Sequence, residues 1–216
     1  MVEVKFLVEG DTEETFVNRV LRSHFFPLGI NPHPQKLGKP GHYSGIVEYP
    51  RARDEILTTL RQGSVSFCTT MVDYYAMPSS WPGRQTAAGS PVPIELAILA
   101  DISAEMGRDF NPVRFIPYVQ MHEFEALLFS DPKVLASHLG LADESQVQGI
   151  RDQFANPEEI DDDPRTAPSK RISRLDPSYQ KPYDGMLIAQ HIGLDTMRAE
   201  CPHFSEWIKK LEALAG

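Results

Sequence analysis

Hydrophobic positions near the start of the chain first alternate and then change period. Val2, Val4, Phe6 and Val8 recur at every second residue, the spacing of a strand, and the run ends on Glu9-Gly10. Phe16, Val17, Val20 and Leu21 follow at helical spacing. Asp11 or Thr12 is placed to cap that helix, with Glu14 or Glu13 as capping-box partner. The pattern therefore predicts a strand, a tight glycine turn and a helix. Residues 30 to 45 hold three Pro and three Gly and read as a surface loop, given a positive character by Lys36, Lys39 and His42.

Apolar spacing resumes at Ile56, Leu57 and Leu60, predicting a helix over 51–62 that stops at Gly63. A buried strand over 64–72 runs into Asp73-Tyr74-Tyr75. A long Pro/Gly/Ser-rich loop (76–91), a helix (93–106) and a strand (113–121) come next, with Pro117 demoting that strand to an edge or a bulge. Alternation of this kind predicts an α/β fold: a mostly parallel sheet flanked by helices. From about residue 129 the pattern turns helical, with helices over 132–139, 144–154, 184–192, 194–199 and 204–214 around a Pro/Asp/Ser-rich stretch, 156–182. The expected division is an α/β core over 1–130 and a C-terminal helical extension over 131–216, packed as one unit.

Composition narrows the function classes. Apolar residues make up 41% of the 216, which is ordinary for a globular protein. No apolar run approaches the roughly 20 residues that span a bilayer, and the N-terminus lacks signal-peptide character, so a cytoplasmic, membrane-free protein is expected. Cys68 and Cys201 are too few for a disulfide framework or a cysteine zinc site. A net charge of −9 disfavours a broad basic nucleic-acid surface. Carboxylate-bound divalent metal or a basic partner would offset that charge locally.

The chemistry is concentrated at strand ends. Carboxyl ends of parallel strands share one edge, where open α/β sheets place ligands. Glu9, Asp73 and the Glu123/Glu125 pair all fall there, and Glu13 lies one helical turn beyond Glu9. These hard oxygen donors suit Mg²⁺ or Mn²⁺. Glu123 and Glu125 share a face if the strand persists and point apart if helix has begun; Phe124, Leu127 and Leu128 favour helix and place one glutamate behind the other. Glu13 can also be read as a first-turn acid favoured by the helix dipole. His122 reads either as a ligand or general acid or as a structural histidine. Tyr74 and Tyr75 read either as base-stacking rings or as packing residues.

Leu7-Val8-Glu9-Gly10 with Thr12-Glu13, and Met71-Val72-Asp73-Tyr74, resemble the first and second motifs of the Toprim (topoisomerase-primase) superfamily, in its form in the OLD (overcoming lysogenisation defect) nucleases. More narrowly, VEGDTEE, TTMVDYYAMP, HEFEALLFSD, TAPSKRI and CPHFSEW together resemble a bacterial Toprim-like family, domain of unknown function 4276, whose members often lie beside ATPase genes. The resemblance implies a Toprim-like fold, with Glu9 as general base or metal ligand and Asp73 as metal ligand. It also implies a metal-dependent nuclease acting on DNA or RNA with a partner ATPase, in phage defence or DNA maintenance. Lys170 and Arg171 read either as a solvated basic pair offsetting Asp161 to Asp163 or as contacts to a scissile phosphate, and the resemblance favours the second; Lys39 and His42 of the basic loop, a solvated connector or a phosphate contact, join Tyr74 and His122 as candidates near substrate. Tyr75 departs from the pattern: it replaces the second Asp of Asp-x-Asp, so Glu123 or Glu125 must supply the missing carboxylate. The alternative reading is a catalytically degenerate module with a regulatory role, and a third is phosphoryl chemistry on a nucleotide.

Overall fold

The computed structural model describes residues 1–38, 46–62, 67–75, 77–160, 163 and 165–216. Strand β1 (Val2–Val8) leads through Glu9-Gly10 into α1 (Asp11–Phe16), which continues by a π turn into α2 (Arg22–Phe25). Then come β2 (Ile30–Lys36), α3 (Tyr49–Arg61), β3 (Phe67–Asp73), α4 (Val92–Met106), β4 (Phe115–Ile116) and β5 (Val119–Gln120). Among the described residues the sheet has the order β2-β1-β3-β4, with β5 also pairing β3, and every pairing is parallel. This is the α/β architecture that the alternating pattern predicts. No described helix is long and apolar enough to cross a membrane.

Burial of β1 on both faces explains its near-continuous apolar character. Phe6 and Val8 face one core with Phe16, Leu21 and Phe204, whereas Leu7 faces the other with Ile56, Val72 and Ile98. The first core is completed by the C-terminal helices: α5 (Pro132–His138), α6 (Ser145–Arg151), α7 (Pro168–Leu175), α8 (Lys181–Ile192), α9 (Leu194–Glu200) and α10 (Pro202–Glu212). Trp207 of α10 packs edge-on against Phe6, with centroids 5.9 Å apart, and donates its indole N–H to Thr69 Oγ1 at 2.9 Å. The helical half thus shares a core with the first strand.

Several local expectations are corrected. Residues 30–36 form strand β2, not loop. β2 lies at the sheet edge, and Pro32 and Pro34 have the same parity, so both positions lacking an N–H turn away from β1. The outward carbonyl of Pro32 accepts from Arg22 Nη2 at 2.9 Å. Lys36 pairs with Asp11 at 2.6 Å; Lys39 and His42 lie outside the described residues. Pro117 divides the expected strand over 113–121 into β4 and β5. The threonine hydroxyls of β3 bridge that break: Thr69 Oγ1 donates to Ile116 O (2.5 Å), and Thr70 Oγ1 to Tyr118 O (3.0 Å). Helix α7 arises within the stretch expected to be irregular, with Pro168 in its first turn, where the missing N–H costs nothing.

Candidate functional site

The parallel register carries two acids to neighbouring strand ends. Val8 pairs with Met71, so Glu9 and Asp73 emerge from β1 and β3 on the same rim. The Asp73 backbone N–H donates to Glu9 Oε2 at 3.1 Å, and Glu9 N donates to Met71 O at 3.2 Å. Beyond β5 the pairing continues, Tyr74 N to Gln120 O (2.9 Å) and Tyr75 N to His122 O (2.8 Å), which draws Glu123 and Glu125 towards Asp73.

Helix has begun at this point, yet the two glutamates do not diverge as expected. Glu123 is the extended residue capping a 3₁₀ segment, Phe124–Ser130, and Glu125 lies in its first turn. Both carboxylates reach one cation: Lys181 Nζ lies 3.4 Å from Glu123 Oε1 and 3.0 Å from Glu125 Oε2. Helix α7 clamps Glu123, with Ser169 N donating to Oε2 (2.9 Å) and Ser169 Oγ to Oε1 (3.0 Å). Tyr179 OH lies 3.5 Å from Glu125 Oε1. Glu13 turns back to accept the Gly10 N–H at 2.9 Å, so Gly10, not Asp11 or Thr12, caps α1.

Crowding of buried acids shifts their protonation. Burial raises the Glu9 carboxyl to about 7, against the pull of the Asp73 N–H and Lys181. Burial and then repulsion from Glu9 raise Glu13 to about 8. Asp73, only 9% exposed, is held well above the usual range by burial and by Glu9 and Glu13. Glu125 is raised by burial, with Lys181 opposing. Burial acts against the Lys181 charge, but Glu125 and Glu123 outweigh it and hold the ammonium protonated.

Asp73 Oδ1 is buried with no hydrogen-bond partner, a costly state for a carboxylate oxygen. The neighbouring donors are carboxylate oxygens, the chemistry that Mg²⁺ and Mn²⁺ prefer. In those two respects the residues fit a hard divalent cation. Among the described residues, however, no group of three or more His, Cys, Asp or Glu is already spaced to hold a metal. The acids have instead gathered around an ammonium.

Residues 8–212 match the sequence model of the family described as domain of unknown function (DUF4276). The chain belongs to that family. No curated protein and no solved structure matches it.

In this DUF4276 chain the other candidates sit as follows. Lys170 is exposed on α7, and Arg171 Nε donates to Thr166 O at 2.5 Å with its guanidinium 5.2 Å from the Phe154 ring centroid. Thus α7 delivers Ser169, not these two, to Glu123. Tyr74 is 4% exposed, with the Arg84 guanidinium 4.0 Å from its ring centroid and the His122 ring in T-shaped contact at 5.3 Å. It offers no open face to a base. His122 is itself buried.

Sequence reasoning missed Lys181, Ser169 and Tyr179. Lys181 looks like any charged residue opening a helix, and only the fold carries it to residues 56 to 58 positions earlier. One local signal was legible: Gly185, inside an otherwise apolar-patterned helix. A Cβ there would meet Tyr179 OH at 2.7 Å, so the glycine gives the tyrosine room to reach Glu125.

Proposed function

We propose that the protein is a metal-dependent nuclease of Toprim type, hydrolysing phosphodiester bonds in DNA or RNA with Mg²⁺ or Mn²⁺. The observation that carries this reading is the meeting of Glu9 and Asp73 at adjacent strand ends, with Asp73 Oδ1 buried and unpartnered. Glu9, Asp73 and Glu125 are the residues that would hold the cation, with Glu13 and Glu123 behind them. When bound, a divalent ion would supply an activated water and neutralise phosphate charge.

The chain's own groups would do the rest. Glu9 Oε2 is engaged by the Asp73 N–H, which leaves Oε1 as the freer oxygen, and an acidity near 7 in the metal-free site lets the carboxyl give up its proton to an incoming cation at neutral pH. Lys181, 45% exposed at the rim, can meet the negative charge of an incoming phosphate. The net charge of −9 opposes a polyanionic substrate. That supports a partner that supplies basic surface, and the family resemblance suggests an ATPase, in phage defence or DNA maintenance.

The test is cleavage of plasmid, single-stranded DNA and RNA with Mn²⁺, with and without a candidate partner ATPase. Glu9→Ala and Asp73→Ala should each reduce cleavage by on the order of 100-fold or more. Wild-type rates in both variants would remove the site.

A second reading is a degenerate Toprim module that serves as a regulatory subunit. Tyr75 in place of an acid favours it, as does the lack of a pre-spaced metal group among the described residues. Calorimetric titration with Mn²⁺ separates the two, since the module would show no carboxylate-dependent binding.

A further inference from the structure

We propose that Lys181 is a built-in counter-ion which a divalent cation displaces, so that metal enters this site by exchange with the ammonium. The inference rests on the metal-dependent reading above and adds to it how the site is switched.

The carboxylates are fixed and the cation is the movable member. Glu123 and Glu125 are 4% and 1% exposed at their side chains, whereas the Lys181 side chain is 45% exposed. Ser169 grips both oxygens of Glu123, and Tyr179 approaches Glu125 across the space left by Gly185. Lys181 is the first residue of α8, and its described contacts to protein acids are these two. Its flexible four-carbon stem can carry the charge outward without moving the helix.

Two buried, ionised glutamates are costly to fold side by side, and an ammonium between them offsets that cost. A doubly charged ion on the Glu125 carboxylate and an ammonium 3.0 Å from its Oε2 would repel each other. One must therefore give way, and the half-exposed lysine is the one with somewhere to go. Asp73, 9% exposed with its Oδ1 unpartnered, is the buried acid at this rim to which the ammonium makes no hydrogen bond. An arginine would have gripped both acids through a planar fork and resisted displacement, whereas a lysine is a point charge that leaves more easily. Once freed, the ammonium stays within a side chain's length of the rim, where a phosphate would arrive.

The test is Mn²⁺ titration by calorimetry of the wild type, Lys181→Gln and Lys181→Arg, with thermal melts confirming that each is folded. Lys181→Gln should bind Mn²⁺ about tenfold tighter or more, because the competing charge is gone, and Lys181→Arg should bind more weakly than wild type. In the wild type, acetylation of Lys181 by a soluble reagent should rise severalfold on adding Mn²⁺. Binding by Lys181→Gln that is equal to or weaker than wild type, or Lys181 labelling unchanged or lowered by Mn²⁺, overturns the exchange while leaving the metal reading standing. No Mn²⁺ binding by any of the three overturns both.

Discussion

Glu9 accepts a hydrogen bond from the backbone of Asp73 at 3.1 Å, across 64 residues of chain. The contact exists because β1 and β3 are adjacent and parallel, so their carboxyl ends share a rim. It places two acids, neither offset by a basic residue of its own strand, in one buried corner. That corner is unfavourable unless protons or cations are taken up there.

Asp73→Asn removes an ionisable carboxyl from the corner while keeping its shape. Cleavage should fall by on the order of 100-fold or more, and Mn²⁺ should no longer raise the melting temperature. The metal-free melting temperature should stay equal or rise, because repulsion of Glu9 and Glu13 is relieved. Thermal melts with and without Mn²⁺ check both parts, and a variant that is destabilised yet still responds to Mn²⁺ would contradict them.

The acids predict a pH signature. Glu9 and Glu13 are raised in the folded protein from 4.5 to about 7 and about 8, so folding favours their protonated forms. Their contribution to stability is full below about pH 4.5 and is lost as the pH rises through 7 to 8. Metal-free protein should therefore lose stability over that interval relative to a Glu9→Gln/Glu13→Gln variant. Mn²⁺ affinity should rise over the same interval, with protons released on binding. Denaturation curves at pH 6 and 8, and calorimetry in buffers of different ionisation heat, measure the two effects.

Much of the scaffold was legible in the sequence. The period-2 run of β1, the apolar spacing of α3 and α4 and the acids closing β1 and β3 are local patterns, and such patterns point to the α/β sheet and to Glu9 and Asp73. The rest depended on pairing. β2 was hidden because Pro32 and Pro34 read as loop residues until their shared parity at a sheet edge is known. Glu123 and Glu125 were expected to separate, but the extended cap at Glu123 lets both reach Lys181. Lys181 itself carries no local mark; burial of its partners, not its neighbours in sequence, makes it part of the site.

Gly185→Ala separates helix propensity from packing. On propensity alone the change would stabilise α8 by about 1 kcal/mol. The new methyl would meet Tyr179 OH at 2.7 Å, so a net loss of about 1–3 kcal/mol is expected. Tyr179→Phe in the same background should recover most of it. A double-mutant cycle by chemical denaturation tests this, and stabilisation by Gly185→Ala alone would contradict it.

Ser169→Ala removes one of the two hydrogen bonds that Ser169 donates to the buried Glu123. A stability loss of about 1–2 kcal/mol is expected, together with weaker Mn²⁺ binding as Glu123 loosens. Lys170→Ala, on the exposed side of the same helix, should change stability by less than about 0.5 kcal/mol. Parallel denaturation and calorimetry of the two variants distinguish α7 as a clamp for Glu123 from α7 as a source of exposed basic residues.

The most direct measurement is the anomalous scattering of a crystal soaked in Mn²⁺. A peak is expected within direct coordination distance of the Glu9 and Asp73 carboxylates, with the Lys181 ammonium moved away from Glu125. Peaks only at other sites, or none at saturating Mn²⁺, would contradict it.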